Sequence, residues 1–156
     1  MASNRNKRTW KDNRKKGPNY KTGDFFRFNP KRYKGAKLKI NYRSSYELKF
    51  MHQLEANPNV LWWKFENIII PYTIRHGVNV KRHNYIMDFQ VKMKNGDMFL
   101  CEVKPDSKSP KTEAEMRISE DHKRNAHKWK AALLWCKHNN HVFKIITEKH
   151  LGIKLK

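Results

Sequence analysis

The chain has 156 residues, 35 Lys/Arg against 14 Asp/Glu and a formal net charge of +21. That length suits one domain with a modest core, and no apolar run is long enough to span a bilayer. Such an excess of positive charge concentrates polyanions, and without an amphipathic membrane-binding helix it points to nucleic acid.

The charge is unevenly spread. Residues 1–40 hold 14 Lys/Arg against Asp12 and Asp24, a net of +12, and residues 41–156 hold 21 against 12, a net of +9. Residues 1–40 read as a basic N-terminal arm, because "NRNKRTWKDNRKKGPNYKTG" has no apolar period. "FFRFNPKRYKG" then interleaves Phe25, Phe26, Phe28 and Tyr33 with Arg27, Lys31, Arg32 and Lys34. Aromatics among cations stack on bases or pack on a domain. Packing is the expectation for the three Phe rings, and phosphate contact for the four cations. Residues 41–156 are expected to form the folded domain.

"SSYELKFMHQLEA", residues 44–56, predicts a helix. Ser44 stands as N-cap and Glu47, three residues on, completes a capping-box pattern. Leu48, Met51 and Leu54 give an apolar stripe, with Phe50 beside it. "NPN" ends it. "VLWWKFENIIIPYTI" predicts a strand, broken near Asn67 and limited by Pro71. Trp62 and Trp63 point to opposite faces, so one is expected in the core. "RHGVNVKRH" predicts a turn. Residues 84–93 and 98–104 predict a hairpin, and a polar loop follows Pro105. A long helix is expected within 113–139, with a stripe of Ala126, Trp129, Leu133 and Cys136 widened by Ala132. "HVFKIIT" predicts a last strand. The order is helix, three strands, helix, strand: an α/β or α+β domain with a mixed sheet flanked by helices. Cys101 and Cys136 sit in apolar patterns and read as buried thiols in a reducing cytoplasm. The eight His show no zinc spacing.

The hairpin register has a chemical consequence. A two-residue Asn95-Gly96 loop would pair Lys94 with Asp97 and put Asp88 and Glu102 on opposite faces. A three-residue loop, Lys94-Asn95-Gly96, pairs Met93 with Asp97 and sets Asp88 across from Glu102. Only the second gathers Tyr85, Met87, Phe89, Val91, Met93, Phe99, Cys101 and Val103 on one face, so it is the expected register. The other face then carries Asp88, Gln90, Lys92, Leu100, Glu102 and Lys104. Two carboxylates whose β-carbons lie roughly 5 Å apart destabilise a sheet unless compensated. Lys92 and Lys104 would compensate by ion pairing, and a hard divalent cation would do so through oxygen ligands. On the residues alone, a solvated face of mixed charge and a metal site are equally supported.

Asp88 followed by Glu102-Val103-Lys104, with Glu47 on the preceding helix, resembles the PD-(D/E)XK nuclease superfamily. The family core is α-β-β-β-α-β, restriction-endonuclease-like. A narrower resemblance is to the head completion nucleases of myovirus-type tailed bacteriophages. It is carried in order by "NPKRYKG", "YRSSYELKF", "IIIPY", "RHNYIMDFQVK", "LCEVKP", "KWKAA" and "FKIITEKHLGIK". "RSSYE…DF…EVK" is also similar to transposon-end endonucleases. The resemblance implies a DNA endonuclease using Mg²⁺, with Mn²⁺ as an alternative. Asp88, Glu102 and Glu47, with the Val103 carbonyl, would hold the metal, and Lys104 would orient or deprotonate water or neutralise developing charge. Arg43, Lys92 and Lys128 join the arm cations as candidate DNA contacts. Portal or head–tail connector proteins are the implied partners, with the host cytoplasm during assembly, or the virion, as the setting. The alternatives are a junction-resolvase-like or transposase-like enzyme on the same fold, and a non-catalytic virion protein at the head–tail junction.

Overall fold

The computed structural model describes residues 22–25, 29–36, 39–109 and 120–152. In chain order the elements are β1 (Gly23–Phe25), β2 (Ile40–Tyr42), α1 (Ser45–Ala56), β3 (Val60–Phe65), β4 (Ile69–His76), β5 (Asn79–Ile86), β6 (Phe89–Met93), β7 (Met98–Val103), α2 (Glu120–His138) and β8 (Val142–Ile146). Four strands make the central sheet in the order β3-β6-β7-β8. The first three pair antiparallel, and β8 joins β7 in parallel. The fold is therefore mixed α/β with helices on both faces, the class expected from the order of elements.

α1 forms where its cap allows. The Ser44 Oγ accepts from the Glu47 N–H at 3.1 Å, and the Asn57 N–H closes the last turn on the Gln53 carbonyl at 2.9 Å. Pro58 follows at once and cannot continue the helix. α1 buries Tyr46, Phe50, Met51 and Leu54 against one face of the sheet. The core there comprises these residues with Trp63, Phe65, Phe89, Val91 and Cys101. Phe25, Tyr33 and Ile40, from the segment expected as an arm, belong to the same cluster. Tyr33 bridges Trp63 in parallel, with the Trp63 N–H on the Arg32 carbonyl and the Lys34 N–H on the Trp63 carbonyl. Trp63 is the core tryptophan, and Trp62 lies beyond a bulge on the other face.

The opposite face is covered by α2 and by the β4–β5 hairpin, which among the described residues pairs with no other strand. The strand expected over 60–74 is interrupted between Phe65 and Ile69, around the expected break at Asn67, and the expected turn over residues 75–83 is instead mostly strand, so the stretch from 60 to 86 makes three strands. On α2 the buried stripe is Trp129, Ala132 and Cys136, and Leu133, expected in it, is 57% exposed. Residues 129, 132 and 136 follow the 3.6 period, which rotates 133 away from the sheet. The expected start of this helix, from 113, lies outside the described residues.

Candidate active site

The site is built on the β6–β7 hairpin. The Met93 N–H donates to the Asp97 carbonyl at 2.8 Å across the loop Lys94-Asn95-Gly96, and Gly96 takes φ +98°. Glycine meets that demand without strain. The ladder pairs Phe89 with Cys101, Gln90 with Leu100, Val91 with Phe99 and Lys92 with Met98, the register expected from the side-chain pattern.

The first strand does not run unbroken from 84 to 93. It breaks at Met87-Asp88, where the Met87 N–H bonds the Ile68 carbonyl and the Glu66 N–H bonds the Asp88 carbonyl, each at 2.9 Å. Tyr85 and Met87, expected beside Phe89, therefore join Ile70, Leu100 and Trp129 under α2. The break delivers the Tyr85 hydroxyl to Glu102 Oε2, 2.8 Å away.

Asp88 lies one step past the last paired residues of β6 and β7. Its Oδ2 accepts the Val103 N–H at 2.8 Å. Burial first, and then the charges of Glu102 and Glu47, push its carboxyl well above the usual carboxylate range, against the Val103 N–H and Arg43. Burial also raises Glu102, opposed by the Tyr85 hydroxyl, Lys104 and Lys128. The Glu102 charge disfavours ionisation of Asp88, while a hydrogen bond from Asp88 helps to pull Glu102 back down, so the two carboxyls act as one pair. Lys104 is held down from its ordinary value by burial, and Glu102 raises it back in part. Its Nζ lies 5.7 Å from the Trp129 ring centroid, and the Lys128 Nζ 5.2 Å from that of Tyr85. The Lys104 N–H is fixed on the Ile146 carbonyl at 2.9 Å, and buried Glu148 holds the Asp106 N–H at 2.8 Å.

Glu47 faces this cluster from the first turn of α1, and its charge is felt at Asp88. Its Oε2 is engaged by the Arg43 N–H at 2.7 Å. Burial pushes Glu47 up, and that bond and the Arg43 charge pull it back. Among the described residues, no three His, Cys, Asp or Glu side chains are gathered tightly enough to enclose a metal ion. The adjacent pair Asp88 and Glu102 nevertheless suits Mg²⁺, which takes one or two carboxylates and keeps much of its water.

The candidate DNA contacts are dispersed. Arg27 lies outside the described residues. The Arg32 guanidinium donates to the Asn57 carbonyl, the Lys34 Nζ to the Pro30 carbonyl at 3.3 Å, and the Lys31 N–H to Asn29 Oδ1 at 2.9 Å. These three sit at the β3 edge and the end of α1. Arg43 is ion-paired with Glu66, whose backbone adopts φ +47°. Lys92 stands opposite Trp62 on β3. Of the seven, Arg43 and Lys128 border the carboxylates.

Sequence reasoning missed Tyr85, Glu66 and Glu148. Tyr85 reads as one more apolar residue in an alternating run. Glu66 and Glu148 follow strands without a motif of their own.

The profile of the family described as "TnsA-like endonuclease N terminal" matches residues 57–148, which include Asp88, Glu102 and Lys104. A protein named "Head completion nuclease", from Enterobacteria phage T4, is 30% identical over 140 residues, 81% of this chain and 92% of that protein.

Proposed function

The chain belongs to the TnsA-like endonuclease family, and from that premise we propose that this nuclease is a Mg²⁺-dependent DNA endonuclease of phage head completion, working in the host cytoplasm during assembly. The observation that carries the reading is the meeting of Asp88 and Glu102, tethered by the Val103 N–H and the Tyr85 hydroxyl, with Lys104 beside them. Asp88, Glu102 and the Val103 carbonyl would hold the cation, with Glu47 adding negative charge from α1. When bound, Mg²⁺ would polarise the scissile phosphate and make water a stronger acid.

The chain's own groups divide the remaining work. The Val103 N–H fixes the Asp88 carboxylate, and Tyr85 fixes that of Glu102, so neither must reorganise when substrate arrives. Lys104, drawn toward its charged form by Glu102, stabilises the charge that grows on the phosphate and orients the attacking water. Lys128 adds a second cation on the same side.

Cleavage of supercoiled plasmid with Mg²⁺, with Mn²⁺ and with a chelator, beside Asp88→Ala, tests the reading. Nicking or linearisation by the wild type with either metal, and by neither the chelated protein nor the variant, is expected. Equal cleavage in chelator would overturn it.

A further inference from the structure

The β4–β5 hairpin is a two-stranded ribbon, joined to no other strand among the described residues. Its base is built into the carboxylate cluster: Tyr85 of β5 bonds Glu102, and Asp88 follows Ile86 by two residues. Ile70, Tyr72 and Tyr85 pin the lower half under α2. Beyond that anchor residues 75–82 are all exposed. At about 3.3 Å per residue, each eight-residue strand reaches roughly 25 Å from the site.

Residues 69–86 contain Arg75, Lys81, Arg82, His76 and His83 and no Asp or Glu. Among the described residues, no side-chain hydrogen bond or ion pair holds Arg75, Lys81 or Arg82. Arg75 and Arg82 share the face turned from α2, since Thr73 opposes Arg82 and Arg75 opposes Val80. Val78, at the tip, is 97% exposed. A groove of about 570 Å³ crosses the ribbon, lined by Pro71, Tyr72, Thr73, Arg82, His83 and Asn84 and again without acid.

We infer that the β4–β5 ribbon is a grip for duplex DNA, lying in a groove of the double helix next to the bond to be cut. The inference deepens the nuclease reading and rests on it for the identity of the ligand. The major groove, about 12 Å wide, admits a two-stranded ribbon. The free cations meet flanking phosphates, and Val78 meets sugar or thymine methyl surface instead of water. A second copy of the chain fits worse. It would bring another +21 charge to the same basic face, and Pro71 removes a backbone donor from the β4 edge.

The test compares the full-length wild type with Arg75→Gln/Lys81→Gln/Arg82→Gln. The charge-matched control is Lys94→Gln/Lys130→Gln/Lys137→Gln. Binding of a 30-base-pair duplex is read by fluorescence anisotropy in EDTA across a salt series, with circular dichroism checking the fold. Loss of the ribbon cations should flatten the log Kd against log salt slope by about 2 to 3, at 0.9 per phosphate, and weaken binding about tenfold or more at low salt. The control should keep most of the slope, and so should Arg75→Lys/Arg82→Lys. Equal slopes for the ribbon variant and the wild type overturn the proposal, as does an equal loss in the control. An oligomer that dissociates in the ribbon variant with its DNA slope intact assigns the ribbon to a second copy instead. Because binding is read without metal, a wild type that fails to cleave plasmid counts against the nuclease reading and leaves this comparison standing.

Discussion

The Tyr85 hydroxyl donates to Glu102 across the break between β5 and β6, at 2.8 Å. A ring that would otherwise be ordinary core thus holds a carboxylate in place. Burial, followed by the Glu102 charge, pushes the phenol above its ordinary value, so it remains a donor at any working pH. Tyr85→Phe keeps the ring and removes the bond. Hydrogen bonds to charged groups contribute about 1.5–3 kcal/mol, and loss of a partner behind a metal ligand costs about 10–100-fold. Single-turnover cleavage should fall by that factor, with DNA affinity unchanged. Wild-type cleavage by the variant would show Glu102 to be positioned by other means.

The carboxylate pair makes a pH prediction. Asp88 and Glu102 sit above their ordinary values of 3.8 and 4.5 in the folded protein. The folded state therefore binds their protons more tightly than the unfolded state does. The stability they contribute is present in acid and lost as pH rises through the folded values. Asp88→Asn removes this loss, so the metal-free variant should melt above the wild type at pH 8 and gain much less at pH 4. Mg²⁺ at about a hundred times its Kd would add about 2.7 kcal/mol, several degrees in a domain of this size, to the wild type and not to the variant. A wild-type melting temperature indifferent to Mg²⁺ at pH 8 would remove these carboxylates from the metal site. Asp88→Asn and Glu102→Gln should each lower cleavage by more than about a hundredfold, with binding retained.

Glu47 has two jobs that can be separated. Its Oε2 caps the chain at the Arg43 N–H, and its charge reaches Asp88. Glu47→Gln keeps an acceptor for the cap and deletes the charge. It should cost under about 0.5 kcal/mol of stability, against about 1 kcal/mol for Glu47→Ala, which loses the cap. Both should cleave poorly. A glutamine variant that cleaves at the wild-type rate would reduce Glu47 to a cap.

The N-terminal segment should contribute affinity without chemistry. Residues 1–21 carry eight Lys/Arg against Asp12. Deletion should stop there, because Gly23–Phe25 pairs with β2 and Asp24 holds Lys39 at 2.8 Å. The truncated protein should bind DNA less tightly at low salt with a flatter salt slope, yet cleave at the full rate when DNA saturates. An unchanged slope would assign the segment's charge to an acidic protein partner.

What the sequence made legible was local or enforced by burial. The β6–β7 register could be read because slipping it would bury charge with Phe89 and Cys101, and the α1 cap because Ser44 and Glu47 stand three apart. The break at Met87-Asp88 could not be read. Tyr85, Met87, Phe89 and Val91 alternate as one strand would, and the backbone partners that interrupt them, Ile68 and Glu66, come from the distant link between β3 and β4. Tyr85 was misplaced for that reason. Arg43 looked like a free cation because Glu66, its partner, lies twenty-three residues away in sequence.

The parallel pairing of β7 with β8 sets the order in which the protein can mature. The β6–β7 hairpin closes locally, within about 1–10 μs, and carries Asp88 and Glu102 with it. The backbone N–H of Lys104 is held by the Ile146 carbonyl, which arrives after the whole crossover through α2. On the ribosome, where the N-terminal part emerges first, the nascent chain would hold its carboxylates before it could hold its lysine. Completion of the nuclease is thereby tied to synthesis of its last strand.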